Sequence, residues 1–382
     1  MKTYLEASQM FTPSGVVKHP RVVIEDGFFT RVGSRDDVEF PAGAAVSNFE
    51  DATLAPGFID IHIHGSGGHD VMEATPEALL AVEKSMARHG VTSYLATTVT
   101  APIPETVESL KRLGEWIGKK NDTAGRAVPL GLHLEGPFIS HAKRGVHPPT
   151  HIQKPSVELF QRLYDAAGGM VRLMTVAPEG EGAIEMIGDA AAKGVRISLG
   201  HSDATYEQTR KAIEAGARHA THVFNAMRAL DHREPGILGA VLTDDRVSGE
   251  IIVDGVHVHP EMVKLLVKAK SVGRVILVTD AISATGMGDG TYQLGGFQVE
   301  VRGDRCEFEG RLAGSVLTLD RAVRNTAKFA SVPLEAAVRM ASLNPSLMLG
   351  LHDRGAIAEG MIADVNLLRE DGTVLKTLHA TS

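Results

Sequence analysis

Two imidazoles stand two residues apart in Ile61-His62-Ile63-His64, each preceded by an apolar side chain. In an extended strand such alternate residues point to the same face. A carboxylate follows at Glu135, in Leu132-His133-Leu134-Glu135-Gly136-Pro137. Further imidazoles come at His201, in Leu199-Gly200-His201-Ser202, and at His222, in Ala220-Thr221-His222-Val223-Phe224-Asn225. Imidazole nitrogen with carboxylate oxygen is a donor set for Zn²⁺ or Fe²⁺. Such an ion makes a bound water nucleophilic near neutral pH. Asp280 ends the run Val275-Ile276-Leu277-Val278-Thr279. A carboxylate there can take the water's proton and return it to a leaving amine. Each residue also has an ordinary reading. A lone His at a strand end is usually a hydrogen-bonded structural group, and an Asp before Ala281-Ile282-Ser283 can simply cap a loop. Four histidines and a glutamate at strand ends reverse that balance. His133 shares a strand face with Glu135 and reads equally as a ligand or as support behind one. His19, His69, His89 and His352 read as structural or exposed.

These residues must be positioned by something regular. Short apolar runs occur near 58–63, 91–99, 128–134, 171–176, 195–199, 219–223, 250–253 and 274–278. Helical patterns separate several of them. Thr75-Pro76 puts a capping hydroxyl before a proline at the first helical position, and that helix stops near His89-Gly90. Ser156 opens another, which ends at Gly168-Gly169. Eight runs alternating with helices predict an α/β fold, a (β/α)₈ TIM-like barrel. His62, His64, Glu135, His201, His222, His257 and Asp280 all fall at or just after the C-terminal ends of these runs. In such a barrel those ends share one mouth, so residues far apart in sequence converge. Residues 56–352 are assigned to the barrel. Val22-Val23-Ile24-Glu25-Asp26-Gly27 near one end, and Ala363-Asp364-Val365-Asn366-Leu367-Leu368 with the Asp371-Gly372 turn near the other, read as short strands. Residues 1–55 and 353–382 are therefore expected to form one small β-sandwich domain.

Composition narrows the class. Of 382 residues, 43% are hydrophobic and 23% charged, as in an ordinary globular protein. A net charge of −8 argues against nucleic acid or an anionic membrane as partner, yet leaves room for a small anionic substrate held by one local Arg and backbone amides. The first residues lack the apolar core of a secretory signal, and no apolar run approaches a membrane span. Cys306 is the single cysteine, which leaves no intrachain disulfide and no Cys-based metal cluster. A reducing cytoplasm is the expected compartment.

The stretch Ala55-Pro56-Gly57-Phe58-Ile59-Asp60-Ile61-His62-Ile63-His64-Gly65 resembles the first-strand signature of the amidohydrolase superfamily. The tail Gly355-Ala356-Ile357-Ala358-Glu359-Gly360-Met361-Ile362-Ala363-Asp364 resembles that superfamily's return to its small β domain. More narrowly, the chain resembles the N-acetylglucosamine-6-phosphate deacetylase family. That likeness rests on His133 to Phe138, Gly200-His201-Ser202, His222 to Met227, Asp254-Gly255-Val256-His257, Thr279-Asp280-Ala281 and Leu312-Ala313-Gly314-Ser315, in the expected order.

The resemblance implies Glu135, His201 and His222 as ligands of a principal divalent cation, with His62 and His64 able to hold a second. It implies Asp280 as general base and acid. His147, in the loop with Val146, would contact the sugar or polarise the acetyl carbonyl. Asn225 and the Ala226 backbone would bind phosphate, completed by Arg233 and by His257 beside Asp254. The backbone of Leu312, Ala313 and Gly314 would line the substrate. Without the resemblance Arg233 reads as a solvated loop charge. Within the family such an Arg can cross a dimer interface, so a homodimer or a dimer-based tetramer is expected. The implied reaction is deacetylation of a small phosphorylated amino sugar in amino sugar catabolism. The competing readings are the N-acetylgalactosamine 6-phosphate epimer, an amidohydrolase of unphosphorylated amides, and a non-catalytic scaffold. A scaffold would be expected to lack a ligand or Asp280, and here none is missing.

Overall fold

In the computed structural model, which describes residues 2–119 and 124–380, the two ends of the chain share one sheet and the middle closes into a barrel. Met1, Thr381 and Ser382, included in the expected small domain, lie outside the described residues. The first sheet begins with β1 (Lys2–Thr12), β2 (Gly15–Lys18), β3 (Pro20–Glu25), β4 (Phe28–Ser34) and β5 (Val46–Pro56). The last two strands of the chain, Val365–Leu368 and Val374–Leu378, add to its edge by pairing antiparallel to β5 and to each other. Leu5, Met10, Val22, Phe29, Leu54 and Val365 form its separate apolar core.

Only Gly57 separates β5 from the first barrel strand, β6 (Phe58–Ile63). After a two-strand hairpin, β7 (Gly65–Ser66) and β8 (His69–Asp70), the barrel continues with β9 (Val91–Thr98), β10 (Val128–Glu135), β11 (Val171–Val176), β12 (Arg196–Leu199), β13 (His219–Ala220), β14 (Ser248–Ile252) and β15 (Val275–Val278). All eight run parallel, each beside the next. The ring closes through a bridge between Ile63 and Ala281, where the Asp280 N–H donates to the His62 carbonyl at 2.9 Å. Helices pack outside as the alternation requires: α1 (Pro76–Ala87), α2 (Ile103–Gly118), α3 (Val157–Ala166), α4 (Ala183–Ala192), α5 (Tyr206–Ala215), α6 (Gly236–Thr243), α7 (Pro260–Lys270), α8 (Leu319–Ala330), α9 (Leu334–Ala341) and α10 (Leu343–Leu349). Their starts follow the local chemistry. Thr75 Oγ1 accepts from the Ala78 N–H at 3.2 Å and Ser156 Oγ from the Leu159 N–H at 3.1 Å, as N-caps do. No helix among the described residues is long and apolar enough to cross a membrane.

The barrel interior is not uniformly apolar. His133 Nε2 meets Thr175 Oγ1 at 2.8 Å, Thr175 meets Thr221 at 2.8 Å, and Thr221 meets Ser198 at 2.6 Å. This chain of hydroxyls pairs polar groups contributed by four neighbouring strands, as burial demands. Above the mouth, the insertion between Asp280 and α8 forms a four-stranded sheet: β16 (Gly290–Leu294), β17 (Phe297–Arg302), β18 (Arg305–Phe308) and β19 (Arg311–Leu312). It has its own core of Leu294, Val299, Val301, Cys306 and Ala313. The apolar-run reading had absorbed this sheet into the barrel segment. With it, the two late strands become β20 and β21.

Candidate active site

Every strand that carries a candidate ligand delivers it to the same end. His62 and His64 leave β6, Glu135 ends β10, and His201, His222 and Asp280 each stand two residues beyond β12, β13 and β15. The last three adopt left-handed backbone, with φ of 46°, 24° and 50°, as do Phe224 at 82° and Ala226 at 49°. Such conformations cost roughly 1–3 kcal/mol each in non-glycine residues and persist where the surrounding fold dictates them. The turns aim the side chains inward instead of letting them follow the strand.

The donor atoms converge on Glu135. His201 Nε2 and His222 Nε2 each lie 3.1 Å from Glu135 Oε1 and 3.1 Å from one another. On the other side, His62 Nε2 is 3.4 Å from Glu135 Oε1, and His64 Nε2 is 3.3 Å from Glu135 Oε2. His62 Nε2 and His64 Nε2 are 3.3 Å apart, and His64 Nε2 reaches Asp280 Oδ1 at 3.1 Å. Three of the four outward nitrogens are already committed. His64 Nδ1 donates to the Thr97 carbonyl at 3.1 Å and His201 Nδ1 to the Lys143 carbonyl at 2.9 Å, since a carbonyl can only accept. His62 Nδ1 meets Glu250 Oε1 at 2.9 Å. In the neutral rings the Nε2 lone pairs of His64 and His201 therefore face other lone pairs and carboxylate oxygens. A cation between them resolves that repulsion. Bonds of about 2.0–2.1 Å to a tetrahedral ion place its ligands ~3.3 Å apart, close to the spacings found here. The donor set thus fits a divalent ion. His222 Nδ1 is buried with no hydrogen-bond partner among the described residues.

Electrostatics point the same way. Burial opposes charge on His62 and His64. Even so, the carboxylates of Glu135, Glu250 and Asp280 hold His62 well above its ordinary value, and those of Asp280 and Glu135 raise His64 to about 9. Burial likewise opposes ionisation of Glu135 and Asp280, but the surrounding imidazoles keep Glu135 well below the usual carboxylate range and Asp280 below its own. The cage holds its carboxylates ionised and attracts positive charge.

His147 lies against Glu135 Oε2 at 3.4 Å, but its tautomer differs from those of the ligands. The Thr100 N–H donates to His147 Nδ1 at 3.3 Å, and the Thr100 hydroxyl lies 2.9 Å from the same atom. Nδ1 is an acceptor, so the neutral ring carries its proton on Nε2. Burial pulls its pKa down to about 4, which keeps the ring neutral. His147 presents a hydrogen-bond donor, not a lone pair. Gly136 allows this placement: at φ +94° it packs against Thr100 Oγ1 where a Cβ would collide.

A cavity of about 310 Å³ opens over the cage, lined by His64, Glu135, Val146, His147, His201, His222, Asn225, Ala226, His257 and Asp280, with Leu312 and Gly314 above. Of the other residues singled out in the sequence, Asp254 sits behind the wall. Its carboxylate holds His257 Nδ1 at 2.7 Å and raises that ring's pKa against the effect of burial. Ala313 is buried in the core of the small sheet. Arg233 is not brought to the cavity: it is exposed, with its N–H donating to Asp231 Oδ1 at 2.8 Å. Residues not anticipated also shape the site. Glu250 is fully buried on β14, and Thr97, Thr100 and Lys143 orient His64, His147 and His201. Leu294 and Phe297 of the small sheet close the cavity from above.

The sequence pattern of the Amidohydrolase family matches residues 53–379. N-acetylglucosamine-6-phosphate deacetylase from Bacillus subtilis is 36% identical over 369 residues, 96% of this chain and 93% of that one. N-acetylgalactosamine-6-phosphate deacetylase from Escherichia coli is 37% identical over 367 residues, 96% and 94% of the two chains. Among solved structures, N-acetyl-D-glucosamine-6-phosphate deacetylase from Mycobacterium smegmatis, in complex with N-acetyl-D-glucosamine-6-phosphate, is 35% identical, with a TM-score of 0.93 and coverage of 100% of this chain and 98% of that one. With its barrel, its imidazole–carboxylate cage and these relatives, the chain belongs to the amidohydrolase family and, within it, to the N-acetylglucosamine-6-phosphate deacetylases.

Proposed function

We propose that this chain hydrolyses the amide of N-acetylglucosamine 6-phosphate, giving acetate and glucosamine 6-phosphate. The observation that carries the reading is the pairing at one mouth of a cation-binding cage with a separately oriented proton carrier, Asp280, and a neutral donor, His147. Glu135, His201 and His222 would hold a principal divalent ion, Zn²⁺ or Fe²⁺, and His62 with His64 would hold a second. When bound, the ion supplies Lewis-acid polarisation and an activated water near neutral pH.

The chain's own residues do the rest. Asp280, kept ionised by His62 and His64, accepts the proton of the attacking water and delivers it to the departing amine nitrogen. The His147 Nε2–H donates to the acetyl oxygen as negative charge develops on it. Leu294 and Phe297 exclude bulk water above. At the far side of the cavity Asn225, the Ala226 backbone and His257 receive the phosphate, with the Asp254 carboxylate favouring the charged form of His257. Arg233, remote from its own cavity, would complete the phosphate site of a neighbouring copy in a homodimer. The enzyme is expected to act in the cytoplasm.

Acetate release from N-acetylglucosamine 6-phosphate and N-acetylgalactosamine 6-phosphate, each beside its unphosphorylated form, tests this. We expect kcat/KM to be highest for N-acetylglucosamine 6-phosphate and to fall when the phosphate is removed. Preference for the galactosamine epimer would transfer the assignment to the Escherichia coli relative's activity. Equal rates with and without phosphate would make the enzyme a general amidohydrolase.

A further inference from the structure

At the opposite end of the barrel lies a second cavity, of about 470 Å³, whose lining includes Arg196, Arg218, Arg246, Arg274 and Asn344 and no acidic side chain. Arg196 is the first residue of β12, Arg218 and Arg274 immediately precede β13 and β15, and Arg246 stands two residues before β14. These four strands are consecutive neighbours. The cations therefore occupy one arc of the N-terminal rim, while the metal cage occupies the C-terminal rim. Arg246 is balanced by Asp244 at 2.7 Å and Glu214 at 3.0 Å. Among the described residues Arg218 Nη1 donates to the carbonyls of Ile213 and Ala217, at 2.6 and 2.7 Å, and meets no carboxylate. Arg196 and Arg274 meet no carboxylate within ion-pair distance among the described residues. In a chain of net charge −8, this is a local excess of cations in a concave wall, where like charges repel and an anion is attracted.

A second observation is independent of charge. Asn344, only 3% exposed, donates through Nδ2 to the carbonyls of Val272 and Val275, at 2.6 and 2.7 Å. Its Oδ1 is buried with no hydrogen-bond partner. The two carbonyls lie on either side of Arg274 in the chain, so Asn344 holds the backbone that carries that guanidinium. Arginine forks suit phosphate oxygens.

We propose that this rim cavity is a second ligand site, which takes a small phosphate monoester. The phosphate rests on Arg196, Arg218 and Arg274. The volume of this open cavity suits a small molecule, and the acidic chain as a whole disfavours a nucleic acid.

Calorimetric titration of the metal-loaded protein with glycerol 3-phosphate, methyl phosphate and glycerol tests the site. The parent should bind one more equivalent of glycerol 3-phosphate than the Arg196→Ala, Arg274→Ala double variant or the single Arg274→Glu variant. Both variants should keep the parent's rate of acetate release. At this site methyl phosphate should compete with glycerol 3-phosphate, and glycerol should not bind. The quantity read is the difference of one equivalent, so it stands whether or not phosphate also binds at the catalytic mouth. Equal stoichiometry in parent and variants would overturn the proposal. So would capture of a single-stranded oligonucleotide by the parent, but not by the variants, without any glycerol 3-phosphate bound there.

Discussion

Asp280 and His147 carry the two proton-dependent tasks of the proposed mechanism, and their surroundings tune them in opposite directions. Asp280 is the group that must ionise: imidazoles lower its pKa although burial acts against them. Asp280→Asn preserves shape and removes the proton acceptor, so kcat should fall by about 10²–10⁴ with the ion at Glu135, His201 and His222 retained. A turnover number within a few-fold of the parent's would remove Asp280 from the mechanism. His147 is the group that must stay neutral, and its pKa of about 4 lies below its ordinary 6.5. His147→Ala should lower kcat by about 10²–10³, the usual cost of losing one oxyanion donor. The depressed pKa also has a stability consequence. Between pH 6.5 and 4 the unfolded chain binds a proton at this position that the folded chain refuses, so stability falls as pH drops through that window. In chelator-treated protein, denaturant unfolding at pH 7 and pH 4.5 should show a smaller acid loss for His147→Gln than for the parent. An identical loss would mean that His147 titrates normally.

The strands decide which of these groups meet, and they were unequally legible. The alternation in β6 places His62 and His64 on one face with nothing beyond period-two geometry. The four candidates at or beyond strand ends, Glu135, His201, His222 and Asp280, follow from the barrel rule. Glu250 was visible as the opening residue of an apolar run but carried no signal of its own. The strand begins at Ser248, which puts Glu250 mid-strand and inside the barrel. There it receives His62 Nδ1 at 2.9 Å and the His222 N–H at 3.1 Å. Burial raises its pKa, and His62 and His219 outweigh that and hold the carboxyl ionised. Glu250→Gln keeps an acceptor and loses the charge, so divalent-ion affinity should weaken by about 10–100-fold, as read by competition with a chelator. Unchanged affinity would reduce Glu250 to a packing role. His147 sits in an irregular loop and is placed by Thr100 from another strand end, so no periodicity could find it; the family likeness did. The sheet β16–β19 was locally readable, since Phe297-Gln298-Val299-Glu300-Val301-Arg302 alternates strictly after Gly295-Gly296. Its role as a roof depends on tertiary placement that local pattern does not encode.

At the scale of the whole molecule, the parallel barrel separates two rims, and each gathers residues from distant parts of the chain. The C-terminal rim collects the cage but lacks one piece that the sequence offered for it. Arg233 is exposed in the loop ahead of α6, held by Asp231, and does not line the cavity of its own chain. A solvated loop charge would look the same. The two readings separate only in an assembly, where an exposed arginine can enter the mouth of a neighbour. Charge-assisted bonds to phosphate are worth about 1.5–3 kcal/mol each, so Arg233→Ala should lower kcat/KM by roughly ten- to a hundredfold on the phosphorylated substrate. Unphosphorylated N-acetylglucosamine, which never uses that contact, should be nearly unaffected. If the arginine acts across an interface, a mixed dimer of Arg233→Ala and Asp280→Asn chains contains one site with both residues intact. Co-assembly of the two impaired proteins should then restore close to half of the parent's activity per mixed dimer. Mixtures no more active than the average of their components would place Arg233 in its own site or in solvent. An equal loss on both substrates would tie it to fold rather than phosphate.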